Sequence, residues 1–279
     1  MTDSRRHHRI PELATKEQNV AKHYDLPREF FAQFLDNRLV YTCARFDGAM
    51  TLDAAQLNKI DNILVKAEIR PGQTLVDLGC GWGGLAVRAR ELGVTVHAAT
   101  LSREQYDYNT RLGSDVRFVL SDWRGVSVVA DAVVAVGLFE HVHPGEYGEF
   151  FRHCRRMLPQ DGVLVVHTNV QARRPNRELV QFVRWIEEVI FPGGRVPAPA
   201  EVVNASRGGP FLVEHCESLR THYETTLGHW HARLLSNQAA AESIVGEEKV
   251  REFLRYLSGY RDFFAQKYCD IWQYKLRAV

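Results

Sequence analysis

The apolar positions of this chain change their period as it runs. In "TLDAAQLNKIDNILVKAEIR", residues 51–70, Leu52, Ile60, Ile63, Leu64 and Ala67 recur near one face at helical spacing, which predicts a helix. Thr51 is placed to cap it, Asp53 lies in its first turn, and Pro71-Gly72 ends it and turns the chain. Short runs rich in valine and alanine then alternate with longer mixed segments. "QTLVDLG" predicts a strand, "GCGWGG" a loop, and "GLAVRARELG" a helix ending near Gly93. "VTVHAAT", "VRFVLSD", "DAVVAVG" and "GVLVVHTNV" predict further strands, and "SREQYDYNTR" opens a helix after the first of these. Strands alternating with helices imply a parallel sheet with right-handed crossovers, whose ligands bind at the carboxyl ends of the strands. Upstream, the aromatic segment "HYDLPREFFAQFLDNRLVYTCARF" reads as helical. Downstream, "RELVQFVRWIEEVIFPGG" reads as a helix and a Gly/Pro-rich turn, and residues 211–279 as strand, helices, strand. These flanks are expected to cover the crevice rather than to form a domain of their own.

Composition narrows the classes. With 279 residues, 45% of them hydrophobic, the chain can bury one large α/β core with helical additions. Thirty-five basic and 34 acidic side chains leave a net charge of +1, so nothing global points to nucleic acid. The basic head "DSRRHHR" reads as a tail without the apolar stretch of a secretory signal. No apolar run approaches the ~20 residues that span a bilayer. Five cysteines without a CxxC predict reduced thiols and a cytoplasmic protein. No H-E-x-x-H spacing suggests a metal.

The chemistry concentrates in two places. Asp77, Gly79, Gly81, Gly83 and Gly84 form D-L-G-C-G-W-G-G between a strand and a helix. Such glycines let the backbone turn tightly and approach a ligand, and the helix N-terminus offers free N–H groups. A dinucleotide-binding loop would want an acidic residue ending the second strand, where this chain has Thr100-Leu101-Ser102. An acid two residues before the first glycine fits S-adenosylmethionine (SAM) instead, Asp77 meeting the ligand's ammonium or organising the loop; a purely structural glycine loop is the other reading. The second place is "GLFEHVHPGEY", residues 137–147, which sets Glu140, His141 and His143 just past a buried strand. His141 and His143 read as capping or surface residues.

The segments "HYDLPREFFAQFLD", "YTCARF", "TLDAAQLNKID", "VDLGCGWGG", "TLSREQ", "FEHV", "VVHT", "IFPGG" and "HYETTLGHW" follow one another in that order. Together they resemble the cyclopropane-fatty-acid synthase family, including the mycolic acid cyclopropane synthases, from about residue 20 onward. The glycine loop is shared by many methyltransferases; the combination of the other segments is far more specific. The resemblance implies a class I SAM-methyltransferase fold, with a Rossmann-like sheet and helical N-terminal and lid additions. It divides the chain into a flexible tail (1–20), a helical cap (21–70) and a methyltransferase core (71–279) with a helical lid insertion at about 171–210. It implies that Tyr41 and the Gly79–Gly81 loop hold the methionine part of SAM. Thr100 and Gln105 would lie at the ribose, Asp122 and Trp123 at the adenine, with Leu101 a further cofactor-binding residue. It further implies a bicarbonate ion beside the methyl group, held by Glu140, His167, Tyr223 and the backbone of Cys43 and acting as general base.

The implied reaction is methyl or methylene transfer to a carbon of an unsaturated acyl or lipid substrate. Tyr24, Phe30, Phe31, Tyr41, Phe139, Tyr223 and Trp230 are expected as a set to offer π faces to a passing cation there, though any one of them alone reads better as core. The chain also departs from the family. It has His143 where a glycine is usual, Asn169 where an apolar residue is usual, a shortened stretch between Gln105 and Val116, and an unusually basic "QARRPNRELV". Those departures keep open C-methylation of a specialised metabolite (a polyketide, isoprenoid or indole) without ring closure, contact with a membrane surface or carrier protein, and a non-catalytic SAM-binding scaffold.

Overall fold

A computed structural model describes residues 26–48, 51–174, 176–191 and 194–279. The valine- and alanine-rich runs form β1 (Thr74–Leu78), β2 (Thr95–Thr100), β3 (Arg117–Leu120), β4 (Ala132–Val136) and β5 (Val163–Gln171). β1 to β5 are mutually parallel, and two later strands, β6 (Phe211–Ser218) and β7 (Cys269–Ala278), complete a seven-stranded sheet of order β3-β2-β1-β4-β5-β7-β6. β7 runs antiparallel between β5 and β6 and pairs with every residue of β5. The strand order reverses between β1 and β4, so a crevice opens beyond their carboxyl ends.

The first helices are α1 (Arg28–Phe31) and α2 (Leu52–Lys66). The Thr51 hydroxyl caps α2 by accepting from the Ala54 N–H at 3.2 Å. Among the described residues, the aromatic segment before α2 is helical only in α1. Beyond it the Asp36 carboxylate accepts from the backbone N–H groups of Arg38 (3.1 Å) and Val40 (2.8 Å), which holds a turn where a helix was expected. Phe30, Phe31 and Phe34 are nevertheless fully buried. α3 (Gly84–Glu91) follows the glycine loop, and α4 (Arg103–Thr110) is capped by Ser102, whose hydroxyl accepts from Gln105 N–H.

α5 (Tyr147–Met157) leads into β5, and α6 (Arg177–Trp185) continues into a single π-helical turn, Ile186–Ile190. α7 (Pro199–Gly208) precedes β6; α8 (Arg220–Ser236), α9 (Gln238–Val245) and α10 (Glu247–Ala265) lie between β6 and β7. α8 and α10 pack with the phenylalanines of 30–34 into one apolar cluster beside the crevice. Among the described residues no helix is long and apolar enough to cross a membrane. Tyr24 and the tail 1–20 lie outside the described residues.

Candidate active site

A cavity of about 430 Å³ lies at the crevice between β1 and β4. Tyr41, Cys43, Asp77, Gly79, Gly81, Thr100, Leu101, Gln105, Asp122, Trp123, Glu140, His167 and Tyr223 all line it. Sequence neighbours supply few of these; the sheet brings them together. Asp77 lies in β1, Thr100 ends β2, Asp122 follows β3, Glu140 follows β4, and His167 lies within β5 opposite Val136 at the end of β4.

At the loop end, Gly79 and Gly81 have φ of +78° and +55°. A Cβ on Gly81 would meet nothing within 4 Å, so the backbone there borders open space that a ligand can approach. Asp77 is 2% exposed, and its Oδ2 is buried without a hydrogen-bond partner among the described residues. Burial pushes its pKa up to about 7, against the opposing charge of Lys59. Lys59 is 1% exposed, lines the same cavity and donates to Thr42 Oγ1 at 2.8 Å. Burial pulls its pKa down to about 8, opposed by Asp36, Cys43 and Asp77. A buried carboxylate and a buried ammonium thus face one space. Along β2, Thr100 Oγ1 donates to Gln105 Oε1 at 2.7 Å. Asp122 caps the short turn that carries Trp123, whose ring lies 4.2 Å from the Arg124 guanidinium carbon.

At the other end, Glu140 Oε2 accepts from Thr168 Oγ1 at 2.7 Å and Oε1 from Asn169 Nδ2 at 2.8 Å. Asn169 Oδ1 in turn accepts from the Tyr260 hydroxyl at 3.1 Å. Asn169, noted in the sequence as a departure, therefore holds the carboxylate. His167 is 1% exposed; Gln273 Nε2 reaches its Nδ1 at 3.1 Å, and its Nε2 is buried without a partner among the described residues. Burial, reinforced by Lys59 and Lys66, holds His167 well below the usual imidazole range, so it is neutral. Burial likewise keeps the Tyr223 hydroxyl and the thiols of Cys43 and Cys80 protonated, and a neutral thiol is a poor nucleophile.

Of the aromatic residues expected around the pocket, Tyr41 and Tyr223 line it. Phe30, Phe31, Phe139 and Trp230 do not; they are fully buried in the apolar clusters behind it. Their place is taken by Tyr256, Tyr260, Phe191 and Tyr268, from α10, the turn after α6 and the approach to β7. His143 accepts from Gly145 N–H at 3.1 Å and caps the next turn, but both it and His141, read as capping or surface residues, also line the cavity. Lys59 and Thr42 were missed as site residues. A signal existed for Lys59: it falls on the stripe Leu52, Gln56, Ile60 and Ile63 that α2 buries.

A glycine loop after β1, a switch point between β1 and β4, and a sheet closed by one reversed strand define a SAM-dependent methyltransferase. Comparison with known proteins makes the class narrower. The chain belongs to the mycolic acid cyclopropane synthetase family, whose family model matches residues 12–274. Cyclopropane mycolic acid synthase 1 of Mycobacterium tuberculosis is 36% identical over 281 residues, covering 94% of this chain and 98% of that protein. The S-adenosylmethionine-dependent methyltransferase UmaA of the same species is 36% identical over 91% of this chain and 94% of its own length. The structure of the cyclopropane synthase MmaA2 from Mycobacterium tuberculosis superposes with a TM-score of 0.91 at 33% identity, covering 96% of this chain and 99% of that one. Coclaurine N-methyltransferase, at 23% identity and a TM-score of 0.80, covers 94% of this chain and 82% of that one and shares the fold.

Proposed function

We propose that this enzyme methylates a carbon of an unsaturated acyl or lipid substrate, with bicarbonate as the base. The observation that carries the proposal is the pairing, in one cavity, of a zwitterion-matching end with a neutral-donor end. At the first end, Asp77 Oδ2 lacks a partner and suits an ammonium, and the Lys59 ammonium suits a carboxylate; SAM ends in both. Thr100, Leu101 and Gln105 would hold the ribose, Asp122 and Trp123 the adenine, and Tyr41 with the Gly79–Gly81 backbone the methionine part. When bound, SAM supplies an electrophilic methyl group.

At the second end, the neutral His167 and Tyr223 offer hydrogen bonds to an oxyanion, and Glu140 offers an acceptor. That set suits bicarbonate, which carries one proton to donate and oxygens to accept with. Burying an anion without such partners would cost several kcal/mol. The base is needed because an alkene carbon attacks while neutral, and the resulting substrate cation must then lose a proton. Loss from the added methyl closes a ring; loss from a neighbouring carbon leaves a methyl branch. Tyr41, Tyr223, Tyr256 and Tyr260 line the cavity, where aromatic rings stabilise such a cation.

The test is to incubate the protein with methyl-labelled SAM and unsaturated acyl substrates as free acids, phospholipids and carrier thioesters. Carbon-bound label in the lipid product supports the proposal. Label on oxygen or nitrogen only, with no carbon product, overturns it.

One observation favours a second reading of the acceptor. His167, Asn169 and Gln171 form an alternating row of polar residues along β5, and all three line the cavity. His167 and Asn169 are engaged by the proposed anion site and by Glu140, which leaves the Gln171 amide at the cavity wall for an oxygen-bearing acceptor such as a polyketide to use, where a plain acyl chain would not. Competition between plain and oxygenated alkenes for the same enzyme separates the two readings by their kcat/KM ratio.

A further inference from the structure

His167 and Gln273 stand directly opposite one another on β5 and β7, and Gln273 stands opposite Glu217 on β6. The three side chains form one row across three strands. Both His167 and Gln273 are buried, at 1% and 0% exposure. The row is closed from α2 by Lys66, whose Nζ donates to Gln273 Oε1 and to Glu217 Oε1. Arg45 holds the same Glu217 oxygen at 2.7 Å.

The donor directions in this row admit one solution. An ammonium can only donate, so the oxygen of the Gln273 amide must face Lys66. Its NH₂ group must then face His167, and an NH₂ group can only donate as well. His167 Nδ1 must therefore accept, which leaves the ring proton of the neutral imidazole on Nε2. Nε2 is the buried nitrogen without a partner among the described residues, and the ring lines the cavity. We infer that Lys66 and Gln273 are positioning residues that fix His167 as an Nε2–H donor toward the cavity. Neither residue lines the cavity.

The consequence for ligand choice rests on the proposed bicarbonate site. With the proton on Nε2, His167 can bind only an acceptor, so it recruits an oxyanion. With the proton on Nδ1, it would present a lone pair and repel one. The positive charge of Lys66 also disfavours a second proton on the ring. The row thus keeps the imidazole neutral and aims its single N–H.

The test is ¹⁵N NMR of protein labelled at histidine, with the His167 signals assigned by loss in His167→Asn. Wild type should show a neutral ring protonated at Nε2. In Gln273→Glu, the carboxylate keeps an acceptor toward Lys66 but turns an acceptor toward Nδ1, so the proton should move to Nδ1. Lys66→Met frees the amide to flip and should give a mixture of the two tautomers. A wild-type ring protonated at Nδ1 or at both nitrogens overturns the inference, as does a Gln273→Glu ring still protonated only at Nε2. Near-UV circular dichroism verifies that each variant is folded, and Lys66→Met decides the matter should Gln273→Glu not fold. Titration with ¹³C-bicarbonate in the presence of SAM gives the second readout. Gln273→Glu should bind bicarbonate about tenfold or more weakly, the loss of one hydrogen bond to a charged acceptor, while SAM affinity is unchanged. Wild-type protein that binds no bicarbonate would remove the anion site, and the tautomer spectra would still decide the role of Lys66 and Gln273.

Discussion

Asp77 carries a charge that the ligand-free protein has little reason to keep. Its folded pKa, raised by burial to about 7, lies above its unfolded value, so its stabilising contribution is complete at low pH and is lost as pH rises through about 7. Each unit of that shift corresponds to about 1.4 kcal/mol. Asp77→Asn should therefore melt at a higher temperature than wild type at pH 8 without ligand, as scanning calorimetry would register. The same change should weaken SAM binding by about tenfold or more at pH 8, the loss of a charged hydrogen bond. Wild-type affinity should also fall as pH drops below about 7, where Asp77 gains a proton, and that acid limb should flatten in Asp77→Asn. Calorimetric titrations across pH would measure both. Glu140→Gln tests the far end: SAM affinity should stay within about twofold, while turnover falls by ~10²-fold or more, the scale of a misplaced base. The thirteen expected site residues could be numbered from short contiguous segments; most of these end predicted strands, while Tyr41, Cys43 and Tyr223 come from the flanks. The hydrogen bonds among them could not. That Asn169 and Thr168 hold Glu140 depends on β5 running past the end of β4, which no local pattern announces.

Elements were legible wherever local spacing decides them. α2 with its Thr51 cap and the parallel strands follow from periodicity and turn residues. The irregular stretch after α1 was not, because Asp36 turns the chain through side-chain bonds that an aromatic-rich sequence conceals. The π turn after α6 was also invisible, since a single inserted residue leaves the apolar spacing almost intact. α6 and this turn together cover the cavity with Val183, Ile186 and Glu187, and α6 rests on α10 through a close fit. A Cβ on Gly259 of α10 would lie 2.2 Å from the ring of Phe182 in α6. Gly259→Ala should push α6 outward and cost ~1–3 kcal/mol of stability, as overpacking does. Amide exchange in residues 177–190 should speed up, and KM for the acceptor should rise while SAM affinity holds. Unchanged exchange in that segment would show that α6 is seated some other way.

At the scale of the molecule, one strand ties the site to the rest. β7 carries Gln273, pairs with β5 over the whole length of that strand and with β6 on its other side. It also anchors α2, since Lys275 and Arg277 both pair with Glu68 just past that helix and with Glu214 on β6. Removing residues 269–279 should therefore abolish cooperative unfolding of the whole protein rather than trim an appendage, and loss of the near-UV signal would register it. The long-range placement of β7 was the least legible feature of the fold, because its own residues fix a strand but not its neighbours. That placement has a consequence during synthesis. Almost a hundred residues separate the end of β5 at Gln171 from the start of β7 at Cys269. At ribosomal speeds of about 5–20 residues per second, β5 waits about 5–20 s for its partner. Through that interval its far edge offers unpaired backbone groups to any other extended chain nearby. Codon-level changes that slow translation between residues 220 and 265 should lower the soluble yield of this enzyme without altering a single side chain.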